Sequence, residues 1–219
     1  MRFQDRRDAG RRLASALERY RGEDPVIIAL PRGGVPVAYE VATALGADLD
    51  IEVVRKIGAP NQPELGVGAV AASGVRFLNE PLIEQLGISR SAIEEIAALE
   101  AAEVERRLRR YRGGRAPTPV RGRTVIVVDD GIATGGTLMA AIEELHQRDP
   151  YRIIVAVPVA PVEAALLLQG RVDEFVCLEM PDPFYSVGTW YDVFDQTTDE
   201  EVIALLTQGH GAHPREASS

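Results

Sequence analysis

A chain of 219 residues is long enough to bury one large core without disulfide bonds, and its only cysteine, Cys177, lies in an apolar run that suits a reducing compartment. The net charge of −9 argues against a general nucleic-acid binder, whose affinity depends on clustered cations. The N-terminus lacks a secretory signal, and no apolar run approaches the roughly 20 residues that span a bilayer, so we expect a soluble cytoplasmic protein without a membrane partner.

Helical and extended patterns alternate through the first part of the chain. Apolar residues at helical spacing predict helices, whereas short apolar runs bounded by turn residues predict strands. In chain order we predict a helix over residues 5–20, a strand over 26–30, a helix through Leu45 that Gly46 stops, a strand over 51–54, and a hairpin of 65–72 with 75–78.

The same patterns continue through the rest of the chain. We predict, in order, a short helix from 79 or 80 to 87, a long helix to about 112 with a capping box over 91–94, a strand over 125–128 followed by a helix, a strand over 153–157, a helix over 161–169, a strand over 172–178 and a helix over 199–208. This alternation predicts an α/β fold with a parallel sheet, in which ligands bind at the carboxyl ends of the strands.

Arginines are dense at the end of the long predicted helix, at Arg106, Arg107, Arg109 and Arg110. One interpretation is a nucleic-acid-binding arm. The other is a set of cations that oppose the dipole at a helix C-terminus and pair with preceding glutamates. Glutamate and arginine alternate along this helix, which favours the second interpretation.

The most informative stretch is the run of β-branched residues 125–128, followed by Asp129, Asp130 and a loop that enters a helix. A run without alternation is typical of a strand covered on both faces. Glycines in the loop allow close backbone approach to a ligand, threonines add hydroxyl donors, and the helix N-terminus favours an anion. The adjacent acids suit the hydroxyls of a sugar or a cation. The loop residues in question are Gly131, Thr134, Gly135, Gly136 and Thr137.

Glycine-rich turns are common, so the simplest alternative is a strand–turn–helix whose glycines only turn the chain. Two familiar nucleotide motifs do not fit: there is no G-x-G-x-x-G with an acid about 20 residues later, and no lysine follows Gly136 as it would in a P-loop. The hydrophobic strand, the two acids and the Thr-Gly-x-Thr loop closely resemble the motif with which type I phosphoribosyltransferases bind 5-phosphoribosyl 1-diphosphate (PRPP).

A second candidate loop covers residues 31–34, after the first predicted strand. Its glycines permit close backbone approach, and Arg32 offers a fork of donors suited to phosphate oxygens. Ordinary turn chemistry is the alternative. Together with the first motif, Arg32, Gly33 and Gly34 resemble the pyrophosphate loop of the same enzymes.

Lys56 is the only lysine among 24 basic residues, and it follows Arg55 at the end of a predicted strand. Two solvated charges at a strand end are one interpretation. The resemblance implies another, because in phosphoribosyltransferases this region contains the flexible loop that closes over the sugar. Arg55 and Lys56 would then reach the pyrophosphate.

Aromatic residues concentrate in the segment 179–196 of a chain that is only 5% aromatic. A hydrophobic patch that packs the C-terminal edge is one interpretation. The resemblance implies a hood in which Phe184, Tyr185 and Trp190 are candidates to stack on a base, a contact that tolerates many bases.

The resemblance extends over roughly residues 24–195. It implies the type I phosphoribosyltransferase fold and Mg²⁺-dependent transfer of the phosphoribosyl group of PRPP to a nitrogenous base, with release of pyrophosphate. Mg²⁺ would be held through PRPP, with Asp129 and Asp130 as candidate protein ligands. The implied catalytic residues are Asp129, Asp130, Lys56 and Arg32, and the implied 5-phosphate loop is Ala133, Thr134, Gly135, Gly136 and Thr137.

Two positions depart from the 6-oxopurine enzymes of this family. Ala133 stands where those enzymes place an aspartate, and residues 157–161 lack the lysine that contacts the base, which disfavours hypoxanthine or guanine. A non-catalytic regulatory protein that binds PRPP or a nucleotide is the main alternative. A Mg²⁺-dependent phosphatase that uses Asp129 is weaker, because the loop suits a bound sugar phosphate.

For the whole chain we expect a single domain over residues 1–208, a hood over about 179–196 and a disordered tail over 209–219. The predicted helices at about 79–112 form an insertion that the minimal phosphoribosyltransferase core lacks. This insertion is a candidate dimer face or lid, and we expect a homodimer.

Overall fold

The computed structural model of the protein describes residues 2–209. In chain order its elements are α1 (Arg6–Ala16), β1 (Val26–Ala29), α2 (Gly34–Leu45), β2 (Asp48–Ile51), β3 (Val54–Ala59), β4 (Gln62–Ala71), β5 (Arg76–Leu78), α3 (Glu80–Gln85), α4 (Arg90–Arg112), β6 (Thr124–Val128), α5 (Gly136–His146), β7 (Arg152–Val159), α6 (Val162–Leu168), β8 (Glu174–Glu179) and α7 (Asp199–Gly209), with 3-10 turns at Glu18–Tyr20 and Val187–Trp190.

Five parallel strands form the main sheet in the order β2-β1-β6-β7-β8. Strands β1 and β6 lie side by side, with Ala29 opposite Val128, and every residue of both strands is buried. Helices α1, α2 and α7 contribute to the core on one face, and α5 and α6 to the core on the other. Cover on both faces explains why neither strand alternates polar and apolar residues. The predicted α/β fold with a parallel sheet is confirmed.

Strands β3, β4 and β5 form a separate antiparallel sheet. The predicted hairpin is present as β4 and β5, with Gly68 opposite Leu78, and β3 pairs along the other side of β4. Ile93 and Ala97 of α4 pack on this small sheet, whereas Leu108 near the other end of α4 packs into the core of the main sheet. The long insertion helix therefore connects the two sheets.

The predicted strand over 51–54 is wrong. Strand β2 ends at Ile51, and β3 begins at Val54 in the other sheet, so Glu52 and Val53 form the link between the sheets. Both link residues are buried, and the Glu52 amide donates to the Ala29 carbonyl oxygen at 3.0 Å. Apolar residues lie on both sides of Glu52, and Glu52 itself is buried, so the sequence pattern did not mark the boundary between the strands.

Two predicted helix limits also differ. The helix expected over 5–20 ends at Ala16, because the Leu17 amide is shared between the carbonyls of Leu13 and Ala14, which closes the last turn. The capping box over 91–94 is wrong: Ser89 is the N-cap of α4, and its hydroxyl accepts from the Ala92 amide at 3.2 Å. The stop at Gly46 is confirmed, with φ of 66° in the left-handed region.

The last described helix, α7, ends at Gly209, and the remaining residues of the tail predicted over 209–219 lie outside the described residues. The Thr198 hydroxyl accepts from the Glu201 amide at 3.1 Å, which caps the start of this helix. Among residues 2–209, no helix is both long and apolar enough to cross a membrane.

Candidate active site

The acid pair lies where the sequence analysis expects it, at the carboxyl end of β6. Asp129 and Asp130 follow the buried strand, and the loop after them leads into α5. Gly135 caps α5 with φ of +75°, and a Cβ there would overlap the Leu167 side chain. A Cβ at Gly136 would meet no atom within 4 Å. The left-handed backbone therefore favours glycine at 135, whereas nothing in the described protein requires glycine at 136.

The loop at 31–34 touches the acid pair, because β1 and β6 are neighbours in the sheet. A Cβ on Gly34 would lie 2.8 Å from the Val128 carbonyl oxygen and 2.9 Å from Asp129 Cα. A Cβ on Gly33 would overlap the Asp130 carboxylate. The Pro31–Arg32 peptide in this loop is cis. The two loops predicted from separate parts of the sequence thus form one surface at the carboxyl edge of the sheet.

Arg6 is a site residue that the sequence analysis did not identify. Its Nε donates to Asp130 Oδ2 at 2.8 Å, and its Nη1 donates to the Asp195 carbonyl oxygen at 2.6 Å. The guanidinium also lies 3.9 Å from the centre of the Phe194 ring. Nothing in the local sequence distinguishes this arginine from the others of the chain, since its partner is 124 residues away.

Burial controls the ionisation of the acid pair. It raises the pKa of Asp129 well above its usual range, and the neighbouring Asp130 charge raises that pKa further. Burial also raises the pKa of Asp130, against the opposing charge and hydrogen bond of Arg6. The Tyr191 hydroxyl donates to the Asp130 carbonyl oxygen at 2.6 Å, and burial raises the pKa of this phenol. The site therefore favours a cation close to these carboxylates, and Arg6 provides one.

Arg32 points towards Asp199 at the start of α7, with 3.7 Å between Nη1 and Oδ1. Asp199 also pairs with Arg110 at 2.6 Å and accepts from the Tyr111 hydroxyl at 2.7 Å. The Tyr111 hydrogen bond, followed by the charges of Arg110 and Arg32, lowers the pKa of Asp199. This carboxylate therefore joins the 31–34 loop to the insertion helix and to α7.

These contacts correct one part of the sequence analysis. Arg110 does not pair with a preceding glutamate of α4, but with Asp199 and Glu200 of α7. The rest of the interpretation is confirmed, because the other arginines pair with glutamates one turn earlier in the helix. Those pairs are Arg106 and Arg107 with Glu103, and Arg109 with Glu105.

Lys56 lies on β3 of the small sheet, where its Nζ is 3.1 Å from the Glu64 carbonyl oxygen and 3.3 Å from Glu64 Oε2. It lines a cavity of about 180 Å³ together with Thr134, Gly136 and Thr137 of the predicted 5-phosphate loop. The lysine thus faces the loop at the start of α5, whereas Arg32 turns to Asp199.

The aromatic segment lies over the acid motif. A Cβ on Gly131 would be 2.7 Å from a methyl group of Val187, so the segment packs directly on the loop. Phe184 and Trp190 pack partly buried against a small core cluster. Tyr185, in contrast, is 81% exposed. Of the three predicted stacking residues, Tyr185 has the ring most available to a ligand.

A family model of the phosphoribosyl transferase domain matches residues 3–189. The chain belongs to the phosphoribosyl transferase family. The match begins before α1, so the chain shares with its family a longer segment than the 24–195 that the motifs indicated.

Known relatives agree with this assignment. Two Mycobacterium tuberculosis proteins (strains CDC 1551 / Oshkosh and ATCC 25618 / H37Rv), named as candidate phosphoribosyl transferases, are 44% identical over 208 residues, which is 95% of this chain. The chain spans about half the length of these curated relatives, 47% of each.

Solved structures share the fold of this chain. The crystal structure of TT1426 from Thermus thermophilus matches with a TM-score of 0.81 and 44% identity, over 95% of this chain and 99% of that one. A hypothetical protein from Neisseria gonorrhoeae, solved with bound ppGpp, matches with a TM-score of 0.52 and 15% identity, over 95% of this chain and 98% of that one. At that identity the likeness concerns the fold alone.

The two segments that depart from the 6-oxopurine enzymes are adjacent in the structure. Ala133 is exposed in the loop, and the Ile132 amide before it donates to the Val159 carbonyl oxygen at 3.0 Å. Ala160 is buried, and Pro161 caps α6. The chain therefore presents no charged side chain at either position.

Proposed function

We propose that this chain transfers the 5-phosphoribosyl group of PRPP to a nitrogenous base with release of pyrophosphate, in a Mg²⁺-dependent reaction. The observation that carries the proposal is the contact between the 31–34 loop and the acid pair at the edge of the sheet. One ligand that carries a sugar and a diphosphate would touch both loops at once.

Each part of PRPP has a suitable partner. Asp129 and Asp130 would accept hydrogen bonds from the ribose hydroxyls. The 5-phosphate would lie on the loop from Ala133 to Thr137, where the amides at the start of α5 favour an anion. The diphosphate would extend from the 31–34 loop, where Arg32 is its cation, towards Lys56 of the small sheet.

The chemistry follows from this arrangement. The bond between ribose C1 and the diphosphate oxygen breaks, a nitrogen of the base bonds to C1, and the electron pair leaves with the pyrophosphate. Positive charge develops on the sugar in the transition state, and the two carboxylates stabilise it. The protein otherwise acts by holding sugar, diphosphate and base in line.

The residues present fit a Mg²⁺ that arrives with its substrate. Within residues 2–209 no group of three or more His, Cys, Asp or Glu side chains is placed to hold a metal ion. Mg²⁺ is commonly held by one or two carboxylates together with waters and substrate phosphates, and Asp129 and Asp130 are the candidate ligands. The chemistry that Mg²⁺ supplies when bound is neutralisation of charge on the diphosphate.

The test is pyrophosphate release from Mg-PRPP across a panel of purines, pyrimidines and other nitrogenous acceptors. We expect acceptor-dependent release by the wild type, loss of that release in Asp130→Asn, and retention in Asp149→Asn, an exposed aspartate paired with Arg121. Tight PRPP binding without release would instead favour a regulatory protein that binds PRPP or a nucleotide. Absence of both release and binding would contradict both functions.

A further inference from the structure

A larger cavity, of about 530 Å³, lies between the small sheet and the insertion helix. The β3 strand, the β3–β4 turn and α4 supply most of its lining, and Thr137 of the 5-phosphate loop completes it. Its charged lining residues are Arg55, Lys56 and Arg107 as cations, and Glu64 and Glu100 as anions. The cavity is thus cationic overall and adjoins the proposed substrate loop.

The two arginines that line this cavity have N–H donors that no described side chain or backbone group uses. Within the described residues, the only side-chain hydrogen bond of Arg107 joins its Nε to Glu103 at 2.8 Å, which leaves both terminal amino groups for another acceptor. Arg55 likewise uses only its Nε, in a bond of 2.6 Å to Glu100. Two arginines on different elements, each with unused donors, therefore line one space.

The partner of Lys56 is easily displaced. Glu64 pairs with Lys56 at 3.3 Å, but the Glu64 side chain is 100% exposed. An ion pair of that kind contributes little to stability, because water competes for both charges. An anionic ligand in the cavity would replace Glu64 at small cost.

We infer that this cavity binds a diphosphate group and that Arg107, on the insertion helix, is one of its binding residues. The volume is generous for one phosphate, and the cations are spread over two elements, which suits two linked phosphates. The inference rests on the proposed function for the source of the diphosphate, which is either PRPP with its product pyrophosphate or a separate effector that carries a diphosphate.

The experiment is calorimetric titration of the full chain with inorganic pyrophosphate in the presence of Mg²⁺. Arg107→Gln should weaken binding by roughly tenfold or more, since a hydrogen bond to a charged group is lost. Arg107→Lys should lose less, because the charge remains. Arg109→Gln is the matched control: Arg109 pairs with Glu105 one turn earlier, as Arg107 does with Glu103, but lies outside the cavity. Its affinity should stay within about twofold of the wild type.

Equal affinities of Arg107→Gln and Arg109→Gln, or no pyrophosphate binding by the wild type, would overturn the inference. Thermal unfolding of each variant excludes loss of the fold as the cause. Saturating PRPP should abolish pyrophosphate binding if PRPP supplies the diphosphate, whereas persistent Arg107-dependent binding would assign the cavity to an effector. If pyrophosphate binding depends on Arg107 but the protein shows no acceptor-dependent release, the inference about the cavity stands and the proposed transferase function is rejected.

Discussion

The Nε of Arg6 lies 2.8 Å from Oδ2 of Asp130, and this pair connects the first helix to the acid motif at the end of β6. Both side chains are largely shielded, with 12% and 15% of their surfaces exposed. A shielded pair differs from a surface pair, because removal of one charge leaves the other without water to solvate it. Arg6 is therefore part of the acid site and not only a residue of α1.

Arg6→Ala should lower the free energy of unfolding by about 2 kcal/mol at a pH near 8, where Asp130 would be left as a buried carboxylate beside Asp129. The cost should shrink towards about pH 5, because a carboxyl with a raised pKa takes up a proton as the pH falls. Urea unfolding at both pH values measures the effect.

The control for that experiment is Arg7→Ala, on the same helix. Arg7 pairs with Glu40 at 3.0 Å and is 46% exposed, so its loss should cost less than about 1 kcal/mol at either pH. If the two variants lose the same stability at both pH values, Arg6 has no special relation to the acid pair.

Local patterns predicted the main sheet and the positions of the 31–34 loop and the acid motif, because that information lies in neighbouring residues. The buried run before Asp129 identifies a central strand, and Gly46 identifies a helix end. Contacts between residues far apart in the sequence produce no local pattern. Arg6 and Asp130, or Arg110 and Asp199, come together only when the chain has folded. The position of a charged side chain was therefore predictable only where its partner lay one helical turn away.

Gly34 and Gly136 differ in what a side chain at each position should affect: stability at Gly34 and ligand binding at Gly136. Gly34→Ala should destabilise the protein by about 1–3 kcal/mol, because its Cβ would press on backbone atoms of Val128 and Asp129 that have no room to move. Gly136→Ala has open space and should leave stability unchanged or raise it by up to about 1 kcal/mol.

The same Gly136→Ala variant should nevertheless bind PRPP at least roughly tenfold more weakly, because the proposed 5-phosphate approaches the backbone there. Thermal unfolding and PRPP titration on one preparation provide the comparison. Unchanged PRPP affinity would mean that no ligand group comes close to this glycine.

Glu52 predicts a pH dependence of stability. It is 3% exposed, its Oε2 accepts from Arg148 at 3.2 Å, and burial raises its pKa to about 7, with the Glu144 charge as the next cause. The native state therefore keeps a proton that the unfolded chain loses near its ordinary pKa. Since the native state binds more protons in that window, the free energy of unfolding should fall by up to about 3 kcal/mol as pH rises from about 4.5 to about 7.

Glu52→Gln should flatten this decline, and urea unfolding across the window compares the two slopes. The slope of stability against pH is the quantity to compare. The absolute stability also changes, because the substitution leaves Arg148 with a weaker partner. Glu105→Gln, at an exposed position of α4, should keep the wild-type slope. An unchanged slope in Glu52→Gln would show that Glu52 titrates at its ordinary pKa.

Arg112 differs from the other arginines at the end of α4. It is 11% exposed, lies 3.0 Å from Asp50 Oδ1, and donates to the Ile51 carbonyl oxygen at 2.8 Å. Arg112→Met should cost about 3 kcal/mol, because Asp50 would remain buried without its cation. Arg109→Met, at a 77% exposed position, should stay within about 0.5 kcal/mol of the wild type in the same unfolding experiment.

Asp130 has partners from opposite ends of the described chain: Arg6 donates to its carboxylate, and Tyr191 donates to its carbonyl oxygen. Arg6 in turn donates to the Asp195 carbonyl oxygen. During synthesis on the ribosome, the acid motif emerges after Arg6 but well before Tyr191 and Asp195. A nascent chain that ends at β8 contains residues 31–34, the acid pair and all five strands of the main sheet, but lacks these two C-terminal residues. Completion of the site is thus a late event in synthesis, because Tyr191 and Asp195 follow the last strand of the main sheet in the chain.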